Sequence, residues 1–142
     1  MTAIKQLLDT KGREVLSIGP DDSVYDAIKL MADKNVGSLV VMEDDRMAGI
    51  ITERDYARNV FLKGRSSPDT SVGDIMERAV ICITLDETVE ECMVVMTSRS
   101  VRHLPVLEEN AVVGIVSIGD LVKSIIDGQK FIIEQLETYI TR

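Results

Sequence analysis

The 142-residue chain has no tryptophan, a single histidine, two cysteines and only 4% aromatic residues, and no apolar run approaches the roughly 18 residues of a membrane-spanning helix. Each shortage excludes something. Cys82 and Cys92 lack Cys-x-x-Cys spacing and His103 stands alone, so no metal cluster can be assembled from the usual soft ligands. Both cysteines are expected to fill small apolar holes. Basic residues are outnumbered, 16 Lys and Arg against 24 Asp and Glu, and a net charge of −8 gives no long-range attraction to nucleic acid or an anionic membrane. A small anion held by a local basic spot fits that balance. No N-terminal basic-plus-apolar signal pattern is present, so the expected location is cytoplasmic.

What the chain does have is a core and a duplication. With 45% hydrophobic and 28% charged residues it reads as a globular protein, and at this length folding buries about two-thirds of the unfolded surface. Shifted by 65 positions, residues 12–60 align with 77–125 without a gap, and about 13 of the 49 pairs are identical. Val36-Gly-Ser-Leu-Val-Val41 meets Val101-Arg-His-Leu-Pro-Val106, and Gly49-Ile-Ile-Thr-Glu-Arg-Asp55 meets Gly114-Ile-Val-Ser-Ile-Gly-Asp120. Two copies of one unit imply a pseudo-twofold protein in which a site built by one copy has a cousin in the other.

Each copy reads as strand, helix, strand, strand, helix. Glu14–Ile18 is a short strand, and Gly19-Pro-Asp-Asp22 is the turn before a helix whose Val24, Ala27, Ile28 and Met31 recur at core-facing spacing. Val89, Cys92, Met93 and Met96 repeat that face. Thr88 and Glu91 have capping-box spacing, with Ser23 and Asp26 as the weaker equivalent. Leu39–Met42 and Ala48–Ile51 form a hairpin around Glu43-Asp-Asp-Arg46, repeated by Leu104–Leu107 and Val112–Val116. The second helices begin near Glu53 and Gly119; one carries Tyr56, Val60 and Phe61, the other Leu121, Val122, Ile125 and Ile126. Ile4–Leu8 and Val72–Met76 are short helical lead-ins to copies one and two. The expected organisation is a lead-in and first repeat over 1–62, a linker over 63–71, a second repeat over 72–127 and a C-terminal helix over 128–142. The tail carries Phe131, Ile132, Ile133, Leu136, Tyr139 and Ile140, an apolar stripe expected to pack on a neighbouring chain. The fold class is mixed α/β (α+β), with small sheets flanked by helices.

The richest matched segment is a strand ending in Gly-Ile-aliphatic, then Thr or Ser, two free positions and Asp. Thr52 with Asp55, and Ser117 with Asp120, fall where a strand turns into a helix, so backbone N–H groups, a hydroxyl and a carboxylate converge on one small space. A carboxylate can accept from both vicinal hydroxyls of a ribose, while the helix start favours a phosphate. The same residues are also good N-caps. Arg102-His103 in copy two replaces Gly37-Ser38 in copy one, so two sites built here would differ: Arg102 could fork onto a phosphate with His103 as a second donor, or the two are a solvated arginine on a strand edge and a partly buried histidine bonded to backbone. Arg54 and Arg58 are further phosphate candidates, or solvated cations on a helix flank. Gly37 allows close approach of a base, or relieves a kink. Pro105 cannot donate to a ladder and predicts an edge strand.

These motifs resemble the tandem cystathionine-β-synthase-like (CBS) pair, or Bateman module, whose signature is Gly-hydrophobic-hydrophobic-Ser/Thr-x-x-Asp. The match to small stand-alone bacterial CBS pairs runs through Thr52-Glu-Arg-Asp-Tyr-Ala-Arg58, Arg102-His-Leu-Pro-Val106 and Ser117-Ile-Gly-Asp-Leu-Val122, and covers nearly the whole chain. The resemblance implies a cleft between the copies that binds adenosyl ligands such as AMP, ADP, ATP, NAD or S-adenosylmethionine. In it Asp55 and Asp120 would hold ribose, Thr52 and Ser117 would lie near phosphate with Gly119, and Ser17, Ile18 and Thr84 would lie near adenine. Ser38 and Pro105 fall on the strands beside those sites. It also implies a homodimer, a regulatory role toward an unidentified effector protein, and no catalysis.

Overall fold

In the computed structural model, which describes residues 2–141, the internal repeat is a repeat of elements. The chain runs through α1 (Ile4–Lys11), β1 (Ser17–Ile18), α2 (Val24–Lys34), β2 (Ser38–Glu43), β3 (Arg46–Thr52) and α3 (Glu53–Tyr56). It continues through α4 (Val72–Ile75), β4 (Ile83–Thr84), α5 (Val89–Arg99), β5 (His103–Glu108), β6 (Ala111–Ser117) and α6 (Ile118–Thr141). The pairs α2 and α5, β2 and β5, and β3 and β6 each begin and end 65 positions apart. Two three-stranded sheets form, in the orders β1-β2-β3 and β4-β5-β6, and in each the short first strand runs parallel to the second.

The local chemistry explains this regularity. Thr88 and Glu91 close the start of α5 reciprocally, the hydroxyl accepting from the Glu91 N–H at 3.1 Å and the carboxylate from the Thr88 N–H at 3.3 Å. At the start of α2 only the Ser23 hydroxyl contributes, accepting from Asp26 at 3.0 Å. Both helices stop on a left-handed residue, Asn35 at φ 55° and Ser100 at φ 54°. Both hairpins turn through two consecutive positive-φ residues, Asp44-Asp45 and Glu109-Asn110, the backbone of a two-residue I′ turn. Val24, Ala27 and Met31 of α2 and Val89, Cys92 and Met96 of α5 are buried as their spacing predicts.

Three expectations need adjustment. The strand expected over Glu14–Ile18 is confined to Ser17–Ile18, preceded by the Val40 N–H donating to the Leu16 carbonyl at 3.2 Å. Pro105 lies not at an edge but in β5, the middle strand of its sheet. The parallel ladder there starts one residue later than in the first repeat, at Val106 rather than at the counterpart of Val40, so the missing N–H falls just outside it. The C-terminal helix is the unbroken continuation of the second helix of repeat two, 24 residues long, passing through Gly128. In repeat one the corresponding helix is short and widens into a π-type turn over Ala57–Phe61, which buries Val60 and leaves Phe61 exposed.

The chain divides into two compact units that cut across the order of the repeats. One comprises Met1–Arg13, Cys82–Glu108 and Val113–Arg142; the other comprises Glu14–Ile81 and Glu109–Val112. The lead-ins are therefore exchanged: each is helical, but each packs on the other repeat. In the second unit Val72 N–H donates to Asp22, Gly73 N–H to Pro20, and Val24 N–H to Thr70, each at 2.8 Å, while Val72, Ile75 and Met76 join the core around Met31, Leu39 and Ile51. In the first unit Ile4 N–H donates to Glu87 at 2.8 Å, Lys5 N–H to Leu85 at 3.1 Å, and Val89 N–H to Thr2 at 2.9 Å. The acceptors Asp22 and Glu87, and Pro20 and Leu85, are matched positions of the duplication.

The motif glycines sit where these straps cross the third strand of each sheet. A Cβ on Gly49 would lie 2.5 Å from the Glu77 carbonyl oxygen, and one on Gly114 would lie 2.8 Å from Leu8 Cδ1. The first obstacle is backbone, held by the Ile50–Glu77 bonds of 3.0 and 2.9 Å, and the second is the end of a side chain. Gly49→Ala should therefore lower unfolding free energy by about 1–3 kcal/mol, and Gly114→Ala by less. Urea denaturation of the two variants checks this, and equal losses would contradict it.

Candidate functional site

The strand-to-helix turns that the sequence singled out are built alike. In repeat one the Thr52 hydroxyl accepts from the Asp55 N–H at 3.1 Å, and Asp55 Oδ2 accepts from the Thr52 N–H at 2.9 Å and the Thr52 hydroxyl at 3.0 Å. In repeat two the Ser117 hydroxyl accepts from the Asp120 N–H at 3.2 Å, and Asp120 Oδ2 accepts from the Ser117 N–H at 2.8 Å. Each turn is tied to the preceding strand by a matched bond, Glu53 N–H to the Gly37 carbonyl at 3.1 Å and Ile118 N–H to the Arg102 carbonyl at 2.9 Å. Capping is thus real in both copies, yet every capping bond of the carboxylate falls on Oδ2, so Oδ1 is not needed for the turn.

The fold gathers Gly37, Ser38, Thr52 and Asp55 into one corner, with Ser38 paired opposite Thr52 in the sheet. Arg102, His103, Ser117, Gly119 and Asp120 form the other. Asp55 is buried, 4% exposed, whereas the Asp120 side chain is 24% exposed. Arg54, Arg58 and Gly119 are exposed on the turns that follow. Ser17 and Ile18 pair with Val40 and Val41 on the side of β2 away from β3, and Thr84 pairs with Leu107 and donates its N–H to Glu87 at 2.7 Å. These three are one strand removed from the corners. Pro105 is buried within β5. Among the described residues no group of three or more His, Cys, Asp or Glu is placed to hold a metal ion, and no helix is long and apolar enough to cross a membrane.

Two residues that sequence reasoning missed complete the corners. Lys11, the last residue of α1, places Nζ 2.6 Å from Asp120 Oδ2 and 2.6 Å from the Ile115 carbonyl. Glu77, just past α4, pairs its backbone with Ile50 and hydrogen-bonds its carboxyl to Asp55. Ile50 and Ile115 are matched positions, so the same carbonyl is satisfied by a backbone N–H in one copy and by an ammonium in the other. Both residues lie outside the Gly-to-Asp motif, and only the exchange of lead-ins brings them to it.

The electrostatics follow. Burial works to raise the Asp120 pKa, but the Lys11 hydrogen bond, the Ser117 N–H and the Lys11 charge outweigh it and hold the carboxyl below its ordinary range. Burial, then the Asp55 charge and the shared hydrogen bond, push Glu77 up against the opposing pull of Arg54. His103 is held below its ordinary value by burial and by the Lys11 charge, partly countered by Asp120. Cys92 is pushed up to about 12 by burial, with Glu87 and Glu91 adding to it, the signature of an inert packing thiol. A groove of about 560 Å³ opens beside Asp120, lined by Thr10, Lys11, Lys123, Ser124 and Asp127, a size suited to a small ligand. A smaller one of about 290 Å³ lies beside Gly37 and Glu53.

Because the folded His103 resists protonation, its stabilising effect is full above its ordinary pKa of 6.5 and is lost as pH falls below that value. The melting temperature of His103→Gln should fall less between pH 7.5 and pH 5.5 than that of the unaltered chain. Parallel pH profiles would refute this assignment.

Comparison with known proteins places this arrangement. The family model for the CBS domain matches twice, over residues 5–61 and 72–127. CBS domain-containing protein CBSX3, mitochondrial, of Arabidopsis thaliana is 41% identical over 148 residues, covering 98% of this chain and 72% of its own length. The crystal structure of the CBS domain NE2398 superposes with a TM-score of 0.85 at 48% identity, covering 88% of this chain and 98% of that one. The CBS domain pair of protein MJ0100, solved in complex with 5′-methylthioadenosine and S-adenosyl-L-methionine, gives 0.78 at 25% identity over 87% and 99% of the two chains. With both copies matched and both sheets in the same order, the chain belongs to the CBS-domain family and carries that domain as a tandem pair.

Proposed function

We propose that this CBS pair is a regulatory sensor that binds an adenosyl nucleotide of the AMP, ATP or NAD type, and that it carries out no catalysis. The observation that carries the reading is at Asp120, whose capping bond and Lys11 contact both fall on Oδ2 while the carboxylate lines a groove of about 560 Å³. Asp55 and Asp120 accept from ribose hydroxyls, and at the Asp120 corner Ser117 lies on the phosphate side. The adenosyl ligands held by the MJ0100 pair support the same chemistry. Neither corner offers a nucleophile with its base, which is why a binding role is preferred to an enzymatic one.

Saturating AMP or NAD, at 100 times its dissociation constant, should add about 2.7 kcal/mol to stability. Asp120→Asn, which keeps an oxygen to accept the capping bond, should abolish most of the gain at its corner while changing the unliganded stability by no more than about 1 kcal/mol. Thermal shift across a panel of adenosyl ligands at millimolar concentration is the test; no shift with any of them would leave the second reading.

That second reading is an assembly module that regulates a separate enzyme or transporter without binding a small molecule. It is favoured by the far half of α6, where Phe131, Tyr139 and Ile140 are 61%, 76% and 78% exposed. Such a stripe fits a homodimer under either reading, since a twofold axis lets one apolar face cover its own copy. Ending the chain after Gly128 should lower the mass seen by light scattering from dimer to monomer. An unchanged dimer would remove the stripe from the interface.

A further inference from the structure

We propose that the charged residue at the end of each exchanged strap makes the two corners select ligands of different charge: Lys11 suits the Asp120 corner to a nucleoside phosphate, and Glu77 suits the Asp55 corner to an uncharged or cationic nucleoside. This rests on the reading of Asp55 and Asp120 as ribose-holding carboxylates and adds the ligand class of each.

The backbone framework of the two corners is alike. Both carboxylates cap through Oδ2, both follow a hydroxyl residue at a matched position, and the matched carbonyls of Ile50 and Ile115 are both taken by a lead-in. The claimant is the Glu77 N–H at 2.9 Å in one case and the Lys11 ammonium at 2.6 Å in the other. The side chain thereby delivered to the carboxylate is an acid in the first copy and a base in the second.

Around Asp120 the cations prevail. Lys11 sits directly on the carboxylate, Lys123 lines the same groove together with Asp127, and the Arg102 charge bears on His103, which burial keeps uncharged at neutral pH. A phosphate arriving there meets two ammonium groups with free valence for further hydrogen bonds. Around Asp55 the nearest side chain is a second acid, Glu77, hydrogen-bonded to it; the Arg54 charge opposes Glu77, and Glu53 and Arg58, one of each sign, are exposed. A phosphate arriving there adds an anion beside two neighbouring acidic side chains. A neutral sugar hydroxyl or a cationic substituent carries no such penalty.

The test is titration calorimetry of the full chain and of Lys11→Met, Lys11→Arg and Glu77→Gln with AMP and with adenosine as probes. In Lys11→Met, AMP affinity should fall about tenfold more than adenosine affinity, the loss expected for one charge-assisted contact. Lys11→Arg should restore most of the preference, which a defect in folding would not allow. Glu77→Gln should raise the affinity of the weaker AMP event and leave the stronger one in place. If AMP and adenosine shift by the same factor in Lys11→Met, or Glu77→Gln leaves the weaker event unchanged, the charge assignment is overturned while ribose binding stands. Absence of heat with either probe on the unaltered chain would instead overturn the ribose reading and this one with it.

Discussion

The reciprocal cap between a strand's last residue and the carboxylate three positions on is the interaction from which the rest is arranged. It turns the chain from β3 into α3 and from β6 into α6, and it does so through a single carboxylate oxygen. Without it, the first turn of each helix would leave N–H groups unpaired in a partly buried setting. Because the cap immobilises the aspartate, it also preorganises whatever the second oxygen does. Capping and the proposed ligand binding, which look like rival explanations of the same two residues, are compatible uses of one side chain.

The exchange of lead-ins gives the Gly-Ile-aliphatic segment its meaning. Gly49 and Gly114 need no positive φ; they are small because a strap of chain passes within van der Waals contact of the strand. In one copy the strap approaches with backbone, and in the other with Leu8. The same crossing delivers Glu77 and Lys11 to the carboxylates, so the packing requirement at the glycine and the electrostatics at the aspartate have one origin. The ion pair itself, with Lys11 35% and Asp120 24% exposed, contributes about 0.2–1 kcal/mol at most. Its importance lies in the local charge it sets.

Much of this was legible in the sequence because its causes are local. The helix faces of Val24, Ala27 and Met31, the capping box at Thr88 and Glu91, the two hairpins and the paired corners all follow from spacing or cap chemistry within a few residues. What escaped was non-local. Since both repeats present the same groove to a lead-in, nothing in Ile4–Leu8 or Val72–Met76 says which repeat will receive it, and Lys11 and Glu77 went unnoticed with it. Pro105 was misplaced at an edge because the proline rule presumes a full ladder, whereas the β4 ladder is two residues long and starts just beyond it. The C-terminal helix expected over 128–142 is the far half of α6, because no left-handed residue or competing cap interrupts the helix at Gly128.

That continuity has a mechanical consequence. Asp120 lies in the first turn of α6, and Tyr139 lies on the same rigid rod about 28 Å away at 1.5 Å per residue. A pivot of only about 5° at the carboxylate would sweep the distal end through about 2.5 Å, comparable to helix displacements that accompany switching in other proteins. A break at Gly128 would have decoupled the two ends; a continuous α6 works as a lever whose short arm is Asp120 and whose long arm is the greasy tip.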